Sequence, residues 1–213
     1  MPPRAKICGL STEDTLAAAI RHGASHVGFV FFARSPRNLA PEQAAALAAL
    51  VPDHVARVGV FVDPDEAFLA RAIAEARLAV VQLHGGETAE RAAAIRARHG
   101  VEVWKAVPVK LRADLAAARS YAGAADRILY DAKTPAAADL PGGLGLRFDW
   151  RLLEGFDHPL PWALSGGLDA RNVAEAVAIS GARLVDVSSG VESAPGVKDV
   201  DKIAGFLQSV ARL

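Results

Sequence analysis

Short, nearly continuous apolar runs alternate along this chain with longer stretches whose apolar residues recur at helical spacing. The runs are RAKIC (4–8), HVGFVFF (26–32), VARVGVFV (55–62), LAVVQLH (78–84), VEVWKAVPV (101–109), RILYD (127–131), LPWALS (160–165) and RLVDVSS (183–189). Too short for helices and apolar on both faces, they predict parallel strands covered on each side. The segments 12–23, 41–51, 64–76, 87–100, 113–123, 148–156, 169–181 and 199–213 predict the covering helices, most of them alanine-rich. Capping residues agree. Ser11 or Thr12 precedes the first helix, Pro41 opens the second, and Gly23, Gly100 and Gly181 close three of them.

Eight strand–helix units predict an α/β protein, a single (β/α)8 TIM barrel with a parallel eight-stranded core, as one catalytic domain over residues 1–213. A typical barrel has ~250 residues, so this is a compact version. An open eight-stranded sheet would need edge strands, and none of the runs is short or charged enough to serve as one.

Composition narrows the partners. Hydrophobic residues make up 52% and charged residues 23%, and 24 Lys+Arg balance 24 Asp+Glu. No basic excess draws the chain to nucleic acid, and no basic amphipathic stripe suits a membrane surface. The start MPPRAKICGL lacks the apolar core of a signal peptide, and no run approaches ~18 apolar residues. One cysteine allows no internal disulfide. The expectation is a soluble, cytoplasmic protein, monomer or homodimer, whose substrate charge is handled by particular side chains and amides.

In such a barrel the active site lies at the C-terminal ends of the strands. Cys8 ends the first run, Arg37 lies in the loop after the second and His84 ends the fourth. Asp131 ends the sixth, Ser165 with Gly166 and Gly167 follows the seventh, and Asp186, Ser188, Ser189 and Gly190 close the eighth. The glycine clusters Gly142–Gly143, Gly166–Gly167 and Gly190 let backbone N–H groups approach an anion, and the loops after strands seven and eight commonly hold phosphate. Cys8 is either a small core hydrophobe or a base, and a thiol with an ordinary pKa of ~8.5 needs help to act near neutrality. Asp131 is either a loop cap or a proton donor kept protonated by partial burial. His84 has no second histidine at ligand spacing, which argues against a metal and for a wall of the pocket.

The motifs KICGL (6–10), GFVFFARSPRNL (28–39), VGVF (58–61), VQLHGGE (81–87), LYDAKTP (129–135), GGLGLRFDW (142–150), LSGGLDARNVAEA (164–176) and VDVSSGVESAPGVKD (185–199) occur in this order. Together they resemble the phosphoribosylanthranilate isomerase family of tryptophan biosynthesis, over essentially the whole chain. The resemblance implies an Amadori rearrangement of N-(5-phosphoribosyl)anthranilate to 1-(2-carboxyphenylamino)-1-deoxyribulose 5-phosphate, with no cofactor and no metal. It implies Asp131 as general acid on the ring oxygen and Cys8 as the base that removes the C2 proton. Arg37 would hold the anthranilate carboxylate, His84 and Asp186 would contact substrate, and the loops at 142–143, 166–167 and 188–190 would hold the phosphate. Two positions depart from the family pattern: LYDA around Asp131, and Leu144 where a small polar residue is expected. The competing readings are a histidine-pathway or bifunctional sugar-phosphate isomerase, which would carry aspartate in place of Cys8, and a non-catalytic phosphate-binding barrel.

Overall fold

The computed structural model describes residues 2–134 and 142–213, so part of the loop after the sixth strand, residues 135–141, lies outside the described residues. Eight strands close into a barrel in sequence order: β1 (Arg4–Cys8), β2 (His26–Phe31), β3 (Ala56–Phe61), β4 (Val80–Leu83), β5 (Glu102–Val109), β6 (Arg127–Ala132), β7 (Trp162–Leu164) and β8 (Leu184–Val187). Every pairing is parallel, and β8 returns to β1 with Lys6 opposite Asp186. All six residues of β2 are buried, as expected of a strand with a helix on one side and the barrel interior on the other.

Six α-helices cover the outside: α1 (Glu13–Arg21), α2 (Pro41–Ala48), α3 (Glu66–Glu75), α4 (Ala89–His99), α5 (Val173–Ser180) and α6 (Val200–Ala211). Their ends follow the capping residues. Thr12 accepts from the Thr15 amide at the start of α1, and Pro41 occupies the first turn of α2. Gly100 and Gly181 take left-handed conformations that terminate α4 and α5.

The two remaining outer segments, Arg112–Tyr121 and Trp150–Leu153, are 3-10 helices, where the sequence pattern predicts ordinary ones. The buried residues are compatible with this form. Leu115 and Ala118 in the first, and Trp150 and Leu153 in the second, stand three apart, the spacing that a 3-10 helix places on one face. After β8 the chain adds a small hairpin, β9 (Glu192–Ala194) and β10 (Val197–Lys198), turned at Pro195–Gly196.

The core has two parts. One cluster lies between the sheet and the helices and includes Ile7, Phe29, Phe61 and Phe206. A second, including Val58, Val80, Trp104 and Leu129, plugs the inside of the barrel. Above that plug Cys8, Val30 and Val60 form an apolar ledge. The described residues therefore plug the interior below and leave it open at the C-terminal rim. No helix among the described residues is long and apolar enough to cross a membrane.

Candidate active site

A parallel barrel delivers side chains to its rim wherever inward-facing positions run past the end of the apolar plug. Cys8, Arg37, His84, Asp131, Gly142, Gly143, Gly166, Gly167, Asp186, Ser188 and Ser189 all line one open cavity of about 830 Å³ there. Gly190 is not among the lining residues. A β-carbon at that position would collide with the Leu168 carbonyl oxygen, so the bare backbone lets the loop after β8 pack on the loop after β7.

Asp131 is buried. Its Oδ1 accepts from the Ala132 amide at 2.9 Å, and its Oδ2 lies 3.1 Å from His84 Nε2. Behind the imidazole, Gln82 Nε2 stands 3.1 Å from His84 Nδ1, while Gln82 Oε1 is buried with no hydrogen-bond partner. With the Gln82 amide donating to Nδ1, His84 carries its proton on Nε2 and donates to the carboxylate. Turned over, the amide would give Oε1 a partner in Nδ1–H and leave Nε2 free to accept from a protonated Asp131. In both arrangements a proton lies between Nε2 and Oδ2, at the edge of the cavity.

Across the barrel, Cys8 lies three strand places from Asp131 around the closed sheet. Burial holds its thiol above the ordinary value; Lys6 offsets only part of that rise, and the Asp186 charge adds to it. Lys6 is fully buried and pairs with Asp186 Oδ1 at 2.9 Å. Burial opposes the Lys6 charge, but Asp186 and Cys8 outweigh it and hold the ammonium above the ordinary lysine value. Asp186 Oδ2 also accepts from Ser165 Oγ at 3.3 Å.

Arg37 comes from the loop after β2, yet it too is buried. Its Nε and Nη2 donate to the two carboxylate oxygens of Glu192, at 2.7 and 2.8 Å, and Nη2 also reaches the Gly143 carbonyl at 3.1 Å. Lys198 Nζ donates to Glu192 Oε1 at 2.5 Å and to the Ser188 carbonyl at 2.9 Å. Burial alone would push the Glu192 carboxyl up, but hydrogen bonds from Arg37 and Lys198 hold it below the usual carboxylate value. Burial brings Lys198 down, with Glu192 offsetting only part of the effect. The hairpin β9–β10 thus clamps one edge of the Arg37 fork, and Nη1 has no hydrogen-bond partner among the described residues.

The glycines do more than expose amides. A β-carbon at Gly142 would sit 2.8 Å from both Asp131 Oδ2 and His84 Nε2, and one at Gly143 would sit 2.7 Å from Arg37 Nη1. At Gly166, with φ of +90°, it would sit 2.7 Å from the Ala132 amide nitrogen. These loops come close enough to the carboxylate and the guanidinium that only glycine fits.

The sequence reading missed Lys6, Gln82, Glu192 and Lys198. Lys6 and Gln82 each stand two residues before a recognised rim residue on the same strand, which places them on the same inward face one layer lower. That signal was available. The partnership of Arg37 with Glu192 spans 155 residues and carries no local signature.

Fold and rim together define a (β/α)8 barrel with a thiol and a carboxyl group on separate strands lining one open mouth. A family model described as N-(5'-phosphoribosyl)anthranilate (PRA) isomerase matches residues 5–209. The chain is 60% identical over 214 residues to the N-(5'-phosphoribosyl)anthranilate isomerase of Zymomonas mobilis subsp. mobilis, and 56% identical over 214 residues to that of Rhodospirillum centenum, with 100% of both chains covered in each case. Among solved structures, phosphoribosyl anthranilate isomerase from Thermotoga maritima superposes with a TM-score of 0.89 at 37% identity, covering 99% of this chain and 100% of that one. A phosphoribosyl anthranilate isomerase in complex with reduced 1-(o-carboxyphenylamino)-1-deoxyribulose 5-phosphate gives 0.86 at 35% identity, with 99% and 100% covered. The chain belongs to the N-(5'-phosphoribosyl)anthranilate isomerase family.

Proposed function

We propose that this chain converts N-(5-phosphoribosyl)anthranilate to 1-(2-carboxyphenylamino)-1-deoxyribulose 5-phosphate, with Asp131 as general acid and Cys8 as general base. The observation that carries the assignment is the placement of these two groups on separate strands across one cavity, Asp131 backed by His84 at 3.1 Å. Asp131 gives its proton to the furanose ring oxygen. The C1–O bond breaks, the anilino nitrogen lone pair forms the C1=N bond of a Schiff base, and the ring oxygen leaves as the C4 hydroxyl. Cys8, as thiolate, takes the proton from C2. The C–H electron pair becomes the C1=C2 bond, and the iminium nitrogen recovers its lone pair. The resulting enolamine tautomerises to the ketone.

The same arrangement supports the binding roles. Arg37, held on one edge by Glu192, turns Nη1 to the cavity, where a guanidinium N–H suits the anthranilate carboxylate. The glycine-rich backbone at 142–143, 166–167 and 188–189 lines the cavity and supports a reading in which its amides hold a phosphate, so a chain with no net charge can take an anionic substrate. Asp186 and His84 line the same cavity, which supports their reading as contacts to the sugar. The test is a fluorescence assay following loss of phosphoribosylanthranilate by the purified protein, with the histidine-pathway substrate in parallel. Turnover of the first and not the second is expected. No turnover of the first would overturn the reading.

A further inference from the structure

A fully buried lysine on the floor of an active site calls for a reason beyond stability. Removing its charge from water is expensive, and a buried ion pair is often no more stabilising than apolar residues of the same volume. Lys6 is such a residue, with its Nζ 2.9 Å from Asp186 Oδ1 and no exposure to solvent. It stands two residues before Cys8 on β1, so both side chains project to the same inward face. Opposite them on β2 is Gly28, where a β-carbon would lie 3.1 Å from Cys8 Sγ and also 3.1 Å from Lys6 Cε. The missing side chain is what allows the lysine stem and the sulfur to share that space.

We propose that Lys6 is the positioning residue that favours ionisation of Cys8, and that Asp186 opposes it, so that the two set how readily the thiol gives up its proton. The inference rests on the reading of Cys8 as the base. The groups that face the sulfur are few. Lys6 comes from β1, Asp186 from β8 and Lys198 from β10, while β2 and β3 contribute only Gly28, Val30 and Val60. Lys198 is the weaker influence, its ammonium being hydrogen-bonded to Glu192 and the Ser188 carbonyl. Burial lifts the thiol above its ordinary value, and the nearby ammonium of Lys6 limits that rise. Lys6 supplies that charge without contacting the substrate.

The single cysteine makes the test direct, because alkylation by iodoacetamide reads Cys8 alone. The rate is measured against pH for the wild-type protein, Lys6→Met, Lys6→Arg and Asp186→Asn. An opposite charge close by commonly shifts a pKa by roughly one unit or more. Lys6→Met is expected to move the alkylation midpoint upward by about that amount, Asp186→Asn to move it downward, and Lys6→Arg to stay near wild type. Shifts of opposite sign separate this role from loosened packing, which would move both variants the same way. Midpoints that stay in place, or that move together, overturn the proposal. If Lys6→Met does not fold, Asp186→Asn decides alone: a downward shift supports the proposal and an unmoved midpoint overturns it. An unmoved midpoint would leave Cys8 as the base, whereas full activity in Cys8→Ser would remove the base assignment and leave the alkylation shifts standing.

Discussion

Glu192 grips Arg37 through two hydrogen bonds, at 2.7 and 2.8 Å, although 155 residues separate them in the chain. The carboxylate occupies the Nε and Nη2 edge of the guanidinium and fixes where the remaining nitrogen points. Removing one partner of a buried, hydrogen-bonded charge pair costs about 2–5 kcal/mol, partly because the other charge is left unpaired. Glu192→Ala should therefore raise KM by roughly tenfold or more, with a smaller change in kcat, as should Arg37→Ala. Steady-state kinetics on phosphoribosylanthranilate checks this, and unchanged KM values would remove the clamp.

Gln82 supports His84, and through it Asp131. Replacing Gln82 by Met keeps the volume and deletes the amide, so Nδ1 loses its partner. The expected result is a kcat lowered by roughly tenfold, within the scale of a proton-transfer contribution, with KM little changed. A rise in KM alone would place Gln82 in binding instead.

Two glycine substitutions separate local fit from general stability. At Gly166 a methyl group would strike the Ala132 amide and approach Asp131 Oδ1 at 3.0 Å, while at Gly100 nothing lies within 4 Å. Both have positive φ, so each alanine variant should lose roughly 1–2 kcal/mol of stability from the backbone alone. Only Gly166→Ala should also lose most of its turnover. Thermal melts and kinetics on the two variants measure the two effects independently.

His26 makes the fold sensitive to mild acid. Burial, with help from the neighbouring Arg4, Lys6 and Arg127 charges, lowers its pKa to about 3. The unfolded chain takes up a proton near pH 6.5 that the folded chain refuses, so stability is full above that pH and falls as pH drops toward 3. Between pH 6.5 and 5 the loss is about 2 kcal/mol. Burial lowers His158 too, which adds loss of the same sign. Urea midpoints at pH 7 and pH 5 should differ for the wild-type protein, and the difference should shrink in His26→Gln.

Much of this architecture is legible in the sequence because parallel strands and capped helices leave strong local patterns. The doubly buried strand HVGFVF and the proline at the start of α2 are read directly. The 3-10 helices are harder, since a pair such as Leu115 and Ala118 fits a 3-10 and an α-helical face equally well. The hairpin after β8 was marked by Pro195–Gly196, a turn dipeptide, yet its strands are too short to stand out. At the site, Cys8, His84, Asp131 and Asp186, read from the sequence at or beside strand ends, all line the cavity. What escaped was the layer beneath, Lys6 and Gln82, and the partner Glu192, because a buried ion pair depends on where distant segments meet. Gly190 shows the converse, a glycine read as a phosphate contact that also answers a packing demand from Leu168.

The claim on which the account turns is that a single thiol takes the C2 proton. Turnover of phosphoribosylanthranilate by Cys8→Ser, followed by loss of substrate fluorescence beside Asp131→Asn and wild type, tests it most directly. A hydroxyl is far less acidic than a thiol, so kcat should fall by roughly 100-fold or more while KM stays within a few-fold, with Asp131→Asn falling comparably. Near-wild-type turnover in Cys8→Ser would contradict it.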